Sequence, residues 1–191
     1  MTEQTPLRIE KIKFLKNQFW ILTISAAFSR NKIYKEINKK SIATDQQKNK
    51  FRSKLFDHIE SLSKNYSKDS YNDDIHKSNI ESIVEFSSKH FSGKLQNGGL
   101  NIGTAQKILN LYLKYLWCSK LIDFEPPHFP LDRLIQKSNK EEKVVSWTGI
   151  TKYSEYIKVL KNTYNKNADS KAVWELKTYN QKNQKNHSSD K

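Results

Sequence analysis

A chain of 191 residues is long enough to bury one hydrophobic core and too short to divide comfortably into two domains. Its 36% hydrophobic and 12% aromatic content excludes a fully disordered chain, and its net charge of +14 makes a polyanion the first partner to consider. The longest apolar run, residues 19–28, is interrupted by Thr23 and Ser25 and is too short to cross a bilayer, so no membrane partner is expected. No secretion signal is indicated, which favours a cytoplasmic protein.

The first 66 residues are predicted to be mainly helical. Apolar residues recur every three or four positions over residues 8–28, which is typical of a long amphipathic helix. Residues 31–40 have few apolar anchors and many cations, which favours a short exposed helix or a continuation of the first one. Apolar positions from Phe51 to Tyr66 predict a further helix, with Thr44 or Asp45 as its cap.

The middle of the chain is predicted to hold the central helix. Residues 78–81 have the form of a capping box ahead of a helix that ends near Gly93. After a glycine-rich turn at residues 98–103, apolar side chains cover most of the circumference of a helix over residues 104–119, so we expect this helix to be buried. A narrow polar strip on this helix consists of Gln106, Lys107, Asn110 and Lys114.

A rigid connector and three more helices are predicted after the central helix. Three of the four prolines lie in residues 125–130, which cannot be helical through Phe129 because a residue before proline is pushed out of the α region. Helices follow around Leu134, after a cap at Thr148 or Thr151, and after a cap at Asp169 or Ser170. The predicted fold is therefore an all-α, compact single-domain bundle of about six to eight helices over residues 1–179, with a disordered polar tail at residues 180–191.

The positive charge is concentrated in the N-terminal third, because residues 1–55 carry 13 cations and four anions. With 30 lysines and four arginines, the pattern favours contacts with phosphates rather than the reading of base sequence, for which the arginine fork is better suited. The alternative is a solvated lysine-rich surface that reflects biased composition. The predicted nucleic-acid contacts in this third are Lys11, Lys13, Lys16, Arg30, Lys32, Lys39, Lys40, Lys48, Lys50, Arg52 and Lys54.

Standard catalytic and metal-binding motifs are missing from the sequence. The five histidines are scattered with no ligand spacing, so neither a metal nor a cofactor is expected. The single cysteine, Cys118, cannot form an internal disulfide and is expected to be buried.

Lys107, Asp132 and Arg133 are the candidate site residues. An inward-facing lysine on a buried helix is a candidate nucleophile or anion anchor. Asp132 and Arg133 come just after the proline connector, near a helix start that can favour a carboxylate or a ligand phosphate, and Arg133 is a further predicted nucleic-acid contact. The alternative is structural: Lys107 extends to solvent, and Asp132 forms a cap and an ion pair with Arg133.

Over residues 98–135, the order of a glycine-containing turn, Lys107 on the next helix, and the Pro-Leu-Asp132 step resembles the helix-hairpin-helix DNA glycosylases. The resemblance implies Lys107 as a Schiff-base nucleophile and Asp132 as its carboxylate partner. It also implies that the backbone from Gly99 to Gly103 contacts DNA phosphate. The expected pocket residues are Gln106, Asn110, Trp117, His128 and Phe129, with Trp117 or Phe129 near the flipped base.

A third possibility is a non-catalytic helical module that binds a protein partner. Its contact surface is expected on the first helix, around Trp20 and Phe28, or on the late segments that contain Trp147 and Trp174.

Overall fold

The computed structural model describes residues 6–29, 31–66, 72–138, 143–164 and 170–188. These ranges form a helical fold, as predicted, with a single two-stranded sheet. The α-helices within them are α1 (Pro6–Phe28), α2 (Asp45–Ser63), α3 (Asp73–Phe91), α4 (Ile102–Cys118), α5 (Arg133–Gln136), α6 (Tyr153–Thr163) and α7 (Lys171–Ser188). The strands are β1 (Glu36–Ile37) and β2 (Lys40–Ser41), and short 3-10 turns lie at Gln96–Gly98 and Trp147–Gly149.

Helix α4 is the centre of the fold, which confirms the prediction from its apolar circumference. Its residues 102–113 are all buried, and α1, α3 and α6 pack around it. Helix α1 contributes Trp20, whose ring meets Tyr112 of α4 edge to face at 6.3 Å between centroids. Cys118 at the end of α4 is exposed, so its predicted burial is wrong: the burial of α4 fades in its last turn, beyond Leu116.

Helix α2 begins as predicted, but α3 begins earlier. Thr44 caps α2, and its hydroxyl accepts the backbone N–H of Gln47 at 3.2 Å. The cap of α3 is Asn72, whose side-chain oxygen accepts the N–H of Ile75 at 2.8 Å. The capping-box pattern at residues 78–81 lies inside the helix, because the aspartates at its N-terminus and the inward-packed Ile75 extend the helical face toward the core.

The predicted helix over residues 31–40 is wrong, because this segment forms a hairpin. Asn38 and Lys39 connect β1 to β2 with φ values of 49° and 63°, the left-handed pair that a tight hairpin turn requires. The preceding residues pair with the segment before the glycine-rich turn: the N–H of Gln96 donates to the carbonyl of Ile33 at 2.8 Å. The backbone groups are thus satisfied between strands, and the segment needs little apolar surface of its own.

Helix α7 begins at one of the predicted caps and continues past residue 180, where the sequence predicts the polar tail to begin. The Ser170 hydroxyl accepts the N–H of Val173 at 3.3 Å, whereas Asp169 lies outside the described residues. Further along, the Lys182 ammonium donates to the carbonyl of Leu134 at 3.2 Å, which joins α7 to α5. Residues 189–191 also lie outside the described part of the chain.

Candidate functional site

Lys107 and Asp132, 25 residues apart in sequence, meet in the structure. The Lys107 ammonium nitrogen lies 3.0 Å from Oδ2 of Asp132, and the two side chains are 6% and 25% exposed. The other carboxylate oxygen of Asp132 accepts the N–H of Ile135 at 2.9 Å, so this aspartate also caps α5. Arg133, the predicted ion-pair partner in the structural alternative, is exposed instead, and Lys107 takes its place.

Two buried amides on α4 hold the proline connector and thereby set the position of Asp132. The Gln106 side chain accepts the N–H of Leu131 at 3.2 Å and donates to the carbonyl of Gly103 at 3.0 Å. One turn later, Asn110 donates to the carbonyl of Phe129 at 3.1 Å. Both amides were predicted to line an open pocket, but their contacts are with the chain itself, because the extended connector has backbone groups that no helix satisfies.

A second buried ion pair joins α7 to the same face of α4. The Lys114 ammonium lies 2.6 Å from Glu175, whose side chain is only 2% exposed, and the Tyr179 ring covers the ammonium at 4.5 Å. Burial raises the pKa of Glu175, and the charges of Lys114 and Lys107 oppose this rise. Glu175 was missed in the sequence, although it lies in a helical stripe with Ala172 and Tyr179 that would have indicated an inward-facing position.

His128, another predicted pocket residue, belongs to a buried polar cluster rather than to an open cavity. Its Nδ1 lies 2.9 Å from the Tyr156 hydroxyl and its Nε2 lies 3.2 Å from Asp73. The ring of His76 packs edge to face against it at 4.5 Å, and Nδ1 of His76 lies 2.8 Å from the Tyr66 hydroxyl. Burial lowers the pKa of both histidines. The hydrogen bond to His128 is the main cause that lowers the pKa of Asp73.

The two aromatic residues expected near a flipped base are not in position to receive one. Phe129 is 1% exposed and packs against Trp174, with 5.3 Å between ring centroids. Trp117 lies ten residues from Lys107 along α4, which is about 15 Å at 1.5 Å per residue. It lines a surface groove beside Cys118 instead. Both expectations are corrected: one ring is part of the core, and the other is at the far end of the helix.

The glycine-rich turn borders a cleft, but the backbone N–H groups of Gly99 and Gly103, which were predicted to contact phosphate, already donate hydrogen bonds within the chain. The N–H of Gly99 donates to Gln96, and the N–H of Gly103 donates to Ile150. A Cβ atom on Gly103 would lie 1.7 Å from the carbonyl oxygen of Trp147. Gly103 therefore allows α4 to pack closely against the turn at Trp147, and it is not a phosphate contact. Gly99, in contrast, lines a cleft of about 320 Å³.

The predicted cationic surface divides into paired and unpaired lysines. Arg30 lies outside the described residues, and Arg52 is half-buried beside Tyr34, where its charge opposes the rise that burial causes in the pKa of the tyrosine. Four lysines are paired with acidic residues, in the pairs Lys13–Glu10, Lys16–Glu60, Lys32–Glu36 and Lys48–Asp45. Among the described residues no acidic partner lies within salt-bridge distance of the exposed Lys11, Lys39, Lys40, Lys50 and Lys54.

The tryptophans that were predicted to contact a protein partner pack inside the chain. Trp20 and Trp147 are 8% and 5% exposed, and Trp174 packs against Phe129 and Tyr164. The most exposed apolar residues of α1 are Leu7, Phe14 and Ile21, and none of these is a tryptophan. The indole rings of Trp20 and Trp147 are therefore part of the core, and that of Trp174 packs against it.

Comparison of this chain with known protein families, with curated proteins and with solved structures finds no match in any of the three. Within the described residues, no helix has the length and apolar character needed to span a bilayer. No group of three or more histidine, cysteine, aspartate or glutamate side chains in those residues is arranged to hold a metal ion.

Proposed function

We propose that this protein binds nucleic acid through contacts with phosphates that are independent of sequence. The observation that carries the proposal is that five of the eleven predicted contacts in the N-terminal third, Lys11, Lys39, Lys40, Lys50 and Lys54, are exposed and have no acidic partner among the described residues. Lys39 and Lys40 lie at the tip and on the second strand of the hairpin, and Lys50 and Lys54 share one face of α2 at a spacing of four. Lysines bind phosphates as point charges and select bases poorly, so duplex sequence should matter little.

The proposal predicts a steep loss of affinity with salt. If all five lysines contact phosphates of a duplex, the slope of log K against log salt is about −4.5, and binding weakens about 500-fold between 50 and 200 mM salt. Fluorescence anisotropy with a labelled duplex of arbitrary sequence measures this slope. Absence of binding at 50 mM salt would refute the proposal.

A matched pair of double variants separates this surface from net charge alone. Lys39→Gln/Lys40→Gln removes two unpaired charges, and Lys13→Gln/Lys48→Gln removes two charges that are paired with acids. The first variant should reduce the salt slope by about two, and the second should leave it nearly unchanged. Equal losses would mean that only the total charge matters, and the proposed surface would then be wrong.

A second candidate function, a glycosylase or lyase reaction at Lys107, is favoured by one specific observation. The resemblance to the helix-hairpin-helix DNA glycosylases requires a lysine and an aspartate partner, and the corresponding side chains lie 3.0 Å apart. In this reaction the Asp132 carboxylate accepts a proton from the Lys107 ammonium. The neutral amine then forms a bond to C1′ of a nucleotide while the base leaves with the electrons of the glycosidic bond and takes the proton from Asp132. The C1′–O4′ bond then breaks as a proton passes from the nitrogen to O4′, which opens the sugar and leaves a protonated imine between Lys107 and C1′.

Borohydride trapping tests the second candidate. The hydride reduces the imine between Lys107 and the opened sugar, so an oligonucleotide with an abasic site should become covalently attached to the protein. Lys107→Arg keeps a positive charge beside Asp132 but cannot form the imine, so it should abolish the adduct, whereas Lys11→Arg on the surface should retain it. A missing adduct with the unaltered protein, or an equal one with Lys107→Arg, would exclude the reaction.

A further inference from the structure

The cleft beside the glycine-rich turn has a composition that distinguishes it from a general lysine-rich surface. Its volume is about 320 Å³, at the lower end of the range for small-molecule sites. None of its fourteen described lining residues is acidic, and one, Lys32, is cationic. Such a cleft admits a group the size of a single nucleoside and does not repel a phosphate at its edge.

Four amide side chains, those of Asn31, Gln96, Asn97 and Asn101, line this cleft, and the Asn101 amide is engaged with Thr104 and Thr148. Asn31 donates to the Thr104 hydroxyl at 2.8 Å, which orients its amide and leaves its side-chain oxygen as an acceptor. Gln96 and Asn97 are exposed and make no side-chain hydrogen bond with the described part of the chain. Carboxamides offer a donor and an acceptor side by side, which matches the edge of a nucleobase.

Apolar side chains complete the lining, namely Ile33, Val84 and Leu100. They come from three separate segments that the fold ties together, since Gln96 donates its N–H to Ile33 and Leu100 donates its N–H to the Ser87 hydroxyl on α3 at 2.8 Å. The walls are therefore fixed before any ligand binds. An apolar lining with amides at its edge suits the faces and the edge of one planar base.

We propose that this cleft receives one unpaired base of a single strand, so that the preferred partner is single-stranded nucleic acid. The inference rests on the proposed nucleic-acid binding, and it is independent of Lys107. Lys32 lines the cleft and is paired with Glu36 of β1 at 3.2 Å, so the cleft adjoins the hairpin and a strand that contacts the hairpin lysines can continue to the cleft. A base within a duplex cannot enter, because its edge is paired and its faces are stacked.

The experiment compares a labelled twelve-residue single strand of mixed sequence with the matching duplex, by anisotropy at 50 mM salt. We expect the unaltered protein to prefer the single strand by about tenfold, in the range of one base whose edge is hydrogen-bonded by a side-chain amide. Gln96→Glu/Asn97→Asp places two carboxylates in the cleft with almost no change of shape. This variant should lose most of the preference for the single strand.

The matched control is Gln46→Glu/Asn49→Asp, which makes the same chemical change at exposed positions on α2. It should weaken binding to both nucleic acids by a similar factor and leave their ratio unchanged. If the unaltered protein binds the two nucleic acids equally, or if both variants change the ratio alike, the cleft inference is wrong while the proposed function stands. If neither nucleic acid binds, the proposed function is wrong, and the cleft inference is wrong with it.

Discussion

Replacing Gly103 with alanine should destabilise the protein by about 3 kcal/mol, in the upper range for overpacking a well-packed site. The added Cβ would lie 1.7 Å from the carbonyl oxygen and 2.9 Å from the carbonyl carbon of Trp147, and both are backbone atoms that cannot rotate away. The turn at Trp147–Gly149 would have to move from α4, which would stretch the 2.9 Å hydrogen bond from Gly103 to Ile150. The free energy of unfolding in urea measures the loss.

The sign of this effect opposes the intrinsic helix propensity. Alanine is favoured over glycine inside a helix by about 1 kcal/mol, so propensity alone predicts stabilisation. Gly149→Ala is the matched control, because it lies in the turn that Gly103 contacts and its added Cβ would have nothing within 4 Å. We expect a change of less than about 0.5 kcal/mol for the control. Equal stability of the two variants would show that the close approach does not matter.

The central helix could be predicted from sequence because burial on all sides leaves a local signature. Apolar residues over most of the circumference of α4 indicate enclosure, and residues 102–113 are all buried. The proline connector is similarly local, since proline restricts its own residue and the one before it. What these patterns cannot provide is the register of one segment against another, which depends on packing among distant residues.

In the candidate site, too, the local patterns could be predicted but the contacts between distant segments could not. Lys107 and Asp132 were paired by a resemblance rather than by any pattern of charge, and the sequence alone allowed Arg133 as the partner of Asp132. Glu175 could not be assigned to Lys114, because any of several acids could face that lysine until the position of α7 is known. The same resemblance implied Trp117 near the flipped base, but ten residues of helix separate Trp117 from Lys107.

The hairpin was missed for a different physical reason. Its two strands have two residues each and all four are exposed, so no alternation of apolar and polar residues marks them. The local signal was Asn38, a residue that tolerates the left-handed conformation of a tight turn, but Lys39 beside it does not favour that conformation. The residues just before the hairpin, Ile33 to Lys35, pair with the segment before the glycine-rich turn, a contact between distant residues that no local pattern indicates.

Lowering the pH from 7.5 to 5 should reduce the free energy of unfolding, by at most about 2 kcal/mol for one histidine that the fold keeps neutral over this range. His76 is fully buried in the cluster with Tyr66 and His128, and burial lowers its pKa well below the ordinary value of 6.5. The unfolded chain therefore takes up a proton below about pH 6.5 while the folded protein does not. The stabilising contribution is complete above that pH and is lost as the pH falls.

His128 acts in the same direction, because burial lowers its pKa as well. Asp73 does not contribute between pH 7.5 and 5, since its pKa is lowered from the ordinary value of 3.8 and its effect is lost only at more acidic pH. Urea unfolding at pH 5, 6 and 7.5 measures the dependence. It should be weaker in His76→Gln, which lacks the titrating group, and unchanged in His90→Gln, which alters an exposed histidine on α3. Equal dependence in the two variants would mean that His76 is not kept neutral by the fold.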